Sequence, residues 1–131
     1  MLLVNKNAII YGGAGDVGSA VAHAFAREGA RVFLAGRTMA TLEATASEIH
    51  ALGGLAETTQ VDAFDLQSVE RSLDDVIARA GQIDISFNAV GHDDVQGQSI
   101  LDMSQTLFAQ PVTNAMITYF NTSTASARRM V

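Results

Sequence analysis

The chain has 131 residues, 48% of them hydrophobic, with 14 acidic and 8 basic side chains and a formal net charge of −6. This length and apolar content call for a single folded domain over residues 1–131 and exclude a disordered chain, while the few scattered bases exclude nucleic acid as a partner. The absence of cysteine excludes disulfides and thiolate metal sites, and no run approaches the roughly 20 apolar residues of a membrane span.

The N-terminal Met1 to Val4 is apolar, but Asn5, Lys6 and Asn7 interrupt it before a signal-peptide core could form. A soluble cytoplasmic protein is the expectation. Ala8 to Tyr11 then reads as a short buried strand. It runs into the glycine-rich turn Gly12-Gly13-Ala14-Gly15-Asp16-Val17-Gly18. A helix follows, with Val17, Val21, Ala24 and Phe25 on one side. Gly29 ends it, and Arg27 suits the negative end of its dipole. Arg31 to Ala35 is a second buried strand. Thr38 can cap a helix reaching about His50, with Met39, Leu42, Ala46 and Ile49 on its inner face. Leu55 to Val61 is a weaker third strand. Asp65 caps a helix to about Ala80, with Leu66, Val69, Leu73, Val76 and Ile77 inward and Gly81 as its stop. Ile83 to Asn88 is a fourth strand. Strands alternating with helices predict an α/β fold, a doubly wound parallel sheet in three layers.

Beyond Ala89 the pattern changes. Gly91 to Gln98 is polar, and Leu101 to Phe108 is expected to be helical. Pro111 interrupts or starts an element, and Asn114 to Met130 is a long helix rich in Ala, Ser and Thr. No fifth strand follows. The fourth strand is therefore expected at a sheet edge, with Ile83, Ile85 and Phe87 poorly covered. The last helix has few large apolar residues of its own, so pairing with a second chain, a homo-oligomer, is expected.

The glycine turn carries the chemistry. Gly13, Gly15 and Gly18 fit G-x-G-x-x-G between a strand and a helix, the setting that holds a dinucleotide pyrophosphate. Glycine lets the chain turn sharply and lets backbone N–H groups approach phosphates. The helix N-terminus adds unpaired donors and the positive end of its dipole. The end of the second strand would face the adenosine ribose. Gly36-Arg37-Thr38 stands there, with no Asp or Glu to receive a 2′-hydroxyl. Arg37 lies nineteen residues past Gly18, near the expected offset of roughly 20. A guanidinium fork suits a 2′-phosphate, so NADP(H) is expected over NAD(H).

Together these pieces resemble the short-chain dehydrogenase/reductase family from about Asn7 to Val131. The resemblance rests on Tyr11 to Gly18, Leu34-Ala35-Gly36-Arg37, Val61 to Asp65, Gly81 to Ile85 leading to Asn88-Ala89-Val90-Gly91, and Leu101-Asp102-Met103-Ser104 leading to Asn114. It implies a Rossmann-like fold, incomplete relative to the family, and hydride transfer between a nicotinamide and a carbonyl or alcohol substrate. It further implies that Gly12 and Gly18, with Gly13, Gly15, Asp16 and Val17 between them, form the pyrophosphate loop. Arg37 and Thr38 would meet the adenosine end. Asp62 would receive the adenine amino group, with the Ala63 N–H nearby. Asn88, Ala89 and Gly91 would lie beside the nicotinamide ribose. Asn114 would help hold a proton-relay water. Two departures stand out: Asp16 occupies the place of the loop's second glycine, and Asn88 to Gly91 keeps only the first and last members of an Asn-Asn-Ala-Gly turn.

The family's proton donor is a Tyr followed four residues later by a Lys. This sequence has one lysine, Lys6, and its tyrosines, Tyr11 and Tyr119, are followed at that spacing by Gly15 and Ser123. The expectation is a cofactor-binding half without its proton donor, inactive by itself and belonging to a longer enzyme. The alternative is a non-catalytic NADP(H)-binding or sensing module, complete as it stands. His92-Asp93-Asp94 is expected to be a solvated loop with no metal, and His23 and His50 have no visible partner in the sequence.

Overall fold

A computed structural model describes residues 1–131. Four strands and four helices alternate: β1 (Asn7–Tyr11), α1 (Asp16–Arg27), β2 (Arg31–Gly36), α2 (Met39–Ala51), β3 (Leu55–Gln60), α3 (Leu66–Ala80), β4 (Ile85–Asn88) and α4 (Gln105–Met130). All pairings are parallel and the strand order is β3-β2-β1-β4. This is the doubly wound, Rossmann-like α/β sheet that the alternation predicts. The chain winds outward from β1 to β3, then crosses back to place β4 on the other side of β1. Ile9 pairs with Phe33 on one flank and with Ser86 on the other.

The apolar runs of β1 and β2 are continuous because both faces of the sheet are covered. One face carries Ala8, Ile10, Val32 and Leu34 against Ala22 of α1 and Leu42, Ala46 and Ile49 of α2. The other carries Ile9, Tyr11, Phe33 and Ala35 against Val69, Leu73 and Val76 of α3 and Ala125 of α4. Ile9, Ile10, Phe33 and Leu34 are fully buried, and each contributes about 1.5–3 kcal/mol by leaving water. The weak pattern of β3 has a simple cause. It is an edge strand, and Leu55, Glu57 and Gln60 are not buried.

Four expectations need correction. In α1 the buried positions are Gly18 and Ala22, whereas Val17 is exposed. Val21 and Phe25 pack against the core as the spacing predicts, and Val17 alone of the larger residues on that face stands in solvent, at the first turn beside the glycine loop. Leu66 is likewise exposed at the first turn of α3. Ile83 is buried beneath α3, so only Ile85 and Phe87 of the predicted fourth strand are half-covered. Leu101 to Phe108 is not a separate helix. Ser104 caps α4, accepting the Leu107 N–H at 3.1 Å, and the helix runs unbroken past Pro111. Pro111 cannot donate to the Leu107 carbonyl, a defect costing about 3 kcal/mol in a helix interior. The cap before it and side-chain ties after it hold the helix in line.

Those ties define α4. Its inward face is polar: Asn114, Thr118, Asn121, Thr122 and Ser126 are buried, with Ala125 the one apolar buried residue. The Asn121 amide donates to the Ala63 carbonyl at 3.0 Å, Ser126 donates to Ser86 at 3.0 Å, and Asn88 donates to Thr122 at 3.2 Å. The outward face bears Phe108, Val112, Met116 and Phe120, all exposed. Near the C-terminus Arg129 binds Glu70 at 2.6 Å and Asp74 at 2.8 Å, both on α3. Desolvation alone would lower the pKa of Arg129, but the hydrogen bonds to Glu70 and Asp74 outweigh it and hold the guanidinium more firmly charged. No helix is long and apolar enough to cross a membrane.

Candidate functional site

Because all four strands are parallel, their C-terminal ends share one edge of the sheet. The glycine turn, the Arg37 turn, the Asp62 loop and the Asn88 segment therefore converge there. The winding reverses between β1 and β4, the place where an open α/β sheet leaves a crevice for a ligand.

The turn after β1 is built from bare backbone. Gly12 has φ +73°, and a Cβ on it would lie 2.6 Å from the Ala89 carbonyl oxygen. A Cβ on Gly18 would lie 2.0 Å from the Gly12 carbonyl oxygen, and one on Gly13 would press the Ile10 carbonyl oxygen and Leu34 at about 3.0 Å. Gly15 has space, its nearest such contact being 3.4 Å. The positions that demand glycine are thus Gly12, Gly13 and Gly18, and the G-x-G-x-x-G register through Gly15 is not what the packing enforces. The N–H groups of Gly12 and Gly13 both donate to the Ala35 carbonyl, at 2.9 and 3.2 Å, which pins the turn to the end of β2. Gly15 is the N-cap of α1 and offers no side chain. The first helical bond runs from Ser19 N–H to the Gly15 carbonyl, so the N–H groups of Asp16, Val17 and Gly18 precede the helical ladder. Asp16 is exposed and its carboxylate does not cap the helix.

Beside this turn lies a cleft of about 160 Å³. Gly12, Arg37, Asp62, Ala63 and Gly91 line it, joined by Phe64 and Val90, which sequence reasoning did not select. Asp62 is exposed, and its Oδ1 accepts the Phe64 N–H at 3.0 Å, turning the loop back on itself. Ala63 is buried, its carbonyl held by Asn121. Arg37 is exposed with no carboxylate within salt-bridge distance. The Gln60 amide donates to its carbonyl at 3.1 Å. Thr38 is the N-cap of α2, but its side chain makes no cap hydrogen bond.

On the β4 side, Asn88 steadies its own turn. Its Oδ1 accepts the Val90 N–H at 2.9 Å, while the Ala89 N–H donates to the Tyr11 carbonyl at 2.8 Å. Asn114 lies across from this segment. Its amide donates to the His92 carbonyl at 3.1 Å, and its Oδ1 accepts from Gln110 at 3.3 Å. His92 departs from the solvated loop expected of it. It is half-buried, packs edge-on against Tyr119 with ring centroids 5.8 Å apart, and leaves Nδ1 buried without a partner. Asp93 and Asp94 are exposed. The other two histidines do have partners: His23 Nδ1 lies 2.8 Å from the Ser19 carbonyl, and His50 Nε2 lies 2.8 Å from the Ala56 carbonyl.

The family model described as short chain dehydrogenase matches residues 6–131. Among curated relatives, an L-rhamnose 1-dehydrogenase (NAD(P)(+)) of Azotobacter vinelandii is 37% identical over 137 aligned positions, covering 99% of this chain and 52% of the relative. Among solved structures, a short-chain type dehydrogenase/reductase from Mycobacterium marinum superposes with a TM-score of 0.86 at 34% identity, covering 98% of this chain and 50% of that one. An NAD+-bound xylitol dehydrogenase gives 0.87 at 26% identity, covering 99% and 50%. The chain spans about half the length of the longer relatives it matches.

Proposed function

The chain belongs to the short-chain dehydrogenase/reductase family, and from that premise we propose that these residues form the dinucleotide-binding part of an oxidoreductase acting on a small carbonyl or alcohol. The observation that carries this reading is the crossing of Gly12 and Gly18. A Cβ at either would strike backbone, and the bare turn delivers the N-terminus of α1 to the crevice. The turn sets the start of α1, with three N–H groups ahead of the helical ladder, next to the cleft that Gly12 lines, and a pyrophosphate fits such donors. When bound, the nicotinamide supplies the hydride chemistry.

The chain's own residues bind and orient. The N–H groups of Asp16, Val17 and Gly18 receive the pyrophosphate, with Gly13 and Gly15 shaping the approach. Asp62 and the Ala63 N–H meet the adenine, between the walls that Phe64 and Val90 provide. Arg37 and Thr38 meet the adenosine ribose. Asn88, Ala89 and Gly91 flank the nicotinamide ribose. Asn114, whose amide is tied to the His92 carbonyl, helps hold a proton-relay water. No Tyr-x-x-x-Lys pair occurs in these 131 residues, so they bind the cofactor without reducing a carbonyl by themselves. Relatives named for their substrates include dehydrogenases of L-rhamnose, sorbitol and xylitol, which makes a polyhydroxylated compound the first substrate class to try.

The cofactor preferred is NADP(H). One relative is named for NAD(P)+ and another holds NAD+, so the choice rests on this chain's own residues, and Arg37 without an acidic neighbour on its turn favours a 2′-phosphate. Titration of NADPH and NADH, followed by nicotinamide fluorescence, tests it. NADPH should bind about tenfold more tightly, the scale of a charge-assisted hydrogen bond, and Arg37→Ala should erase the difference. Equal affinities in the wild type overturn the preference, and no binding of either overturns the reading. The partner proposed for the outward face of α4 is a second copy of the chain, and the setting proposed is the cytoplasm.

A further inference from the structure

Five of the eight basic side chains lie within 4 Å of a side-chain carboxylate: Lys6 with Asp84, Arg31 and Arg79 with Glu57, and Arg128 and Arg129 with Glu70. Arg27, Arg37 and Arg71 have none. In a chain with 14 acidic residues, two of these three line the same space. Arg37, from the turn after β2, and Arg71, from the second turn of α3, border an open groove of about 550 Å³ beside β3, together with Gln60, Asp62, Ser68 and Asp75.

The other polar groups there are already engaged. Asp75 binds Arg79 at 2.5 Å, Asp62 accepts the Phe64 N–H, and Ser68 accepts the Asp62 N–H at 3.0 Å. Neither guanidinium has a carboxylate within 4 Å, although Asp62 and Asp75 border the same groove, so the side-chain donors of both remain free for a ligand. The groove is continuous with the cofactor cleft, since Arg37, Val61 and Asp62 line both.

We infer that Arg71 is the second guanidinium of the 2′-phosphate site, closing on that phosphate from α3 while Arg37 holds it from the β2 turn. The inference rests on the proposal that NADP(H) occupies the cleft. It assigns Arg71 a part in cofactor specificity, and it explains why Arg37 lacks a carboxylate partner although two aspartates border the same groove. One phosphate bridging two guanidiniums offers each a forked pair of acceptors.

Calorimetric titration of NADPH, NADH and 2′,5′-ADP into wild type, Arg37→Ala, Arg71→Ala, Arg71→Lys and the double alanine variant tests the assignment. Arg71 is exposed, so its variants should fold, and circular dichroism checks that they do. Arg71→Ala should weaken NADPH and 2′,5′-ADP about tenfold and leave NADH unchanged. Arg71→Lys should recover part of the loss. The double variant should lose less than the product of the single losses, because both groups serve one phosphate. If Arg71→Ala binds NADPH like wild type while Arg37→Ala does not, Arg71 is outside the site and NADP(H) preference stands. If Arg71→Ala weakens both dinucleotides equally, its role is not specific to the 2′-phosphate, and the inference fails. If the wild type shows no preference for NADPH, the preference and the clamp fall together.

Discussion

At the residue scale, Tyr11 closes the central strand with its ring fully buried and its hydroxyl unpartnered. The two serine hydroxyls beside it are committed elsewhere, Ser126 donating to Ser86 and Ser72 to the Val69 carbonyl. Burial pushes the Tyr11 pKa up to about 12 from 10.0, the Ser126 hydroxyl offsetting only part of the rise. The folded state therefore holds this proton more tightly than the unfolded chain does. The stabilisation is fully present below pH 10 and is lost as pH climbs from 10 toward 12. A shift of this size corresponds to about 2–3 kcal/mol. Urea unfolding at stepped pH should show Tyr11→Phe escaping that alkaline decline. At neutral pH the variant should be at least as stable as wild type, because an unsatisfied hydroxyl has been removed. A parallel decline in both proteins would refute the account.

At the scale of elements, α4 depends on polar ties more than on apolar packing. Arg129 is 16% exposed and links α4 to α3 through Glu70 and Asp74. Arg129→Ala should lower stability by about 1–2 kcal/mol, a partly buried pair discounted for solvent. The urea midpoint should fall with an unchanged slope. The same helix marks the boundary of what the sequence makes legible. β1 and β2 announce themselves as apolar runs closed by glycine, and α2 and α3 by apolar residues at helical spacing. In α4 the helix itself is legible from Asn114 to Met130, but its buried face is not, because that face is Asn, Thr and Ser and hydrophobic periodicity cannot register a polar interface. Pro111 adds a false stop that the Ser104 cap overrides. In the site, Gly12 and Gly18 are readable because only glycine fits a backbone crossing. Phe64 and Val90 are not, since they follow different strands and meet only because β4 returns to the far side of β1. Arg71 is equally silent, lying 34 residues beyond Arg37 in the chain.

For the whole molecule, the reversed polarity of α4 carries a consequence for assembly. Phe108, Val112, Met116 and Phe120 recur every four residues, and each is 58–65% exposed. A helix that hides its amides and displays its aromatics is shaped for a second apolar surface. The homo-oligomer proposed above should appear in light scattering as a dimer or larger species. Replacing both Met116 and Phe120 with Ser should shift it toward monomer with the unfolding midpoint of the isolated domain retained. A monodisperse monomer at high concentration would refute the assembly.

The strand order also bears on biosynthesis. β1 is translated first, yet it sits between neighbours made at very different times: Phe33 pairs with Ile9 early, whereas Ser86, its partner on the other flank, follows 77 residues after it. One side of that strand stays bare on the ribosome until Ile85 to Asn88 have emerged. Such delayed zipping makes folding slow and leaves a sticky flank exposed to neighbouring nascent chains. Of the four strands here the earliest made is sealed only when the fourth arrives, and chaperone binding to this part of the chain should fall once Asn88 has left the exit tunnel.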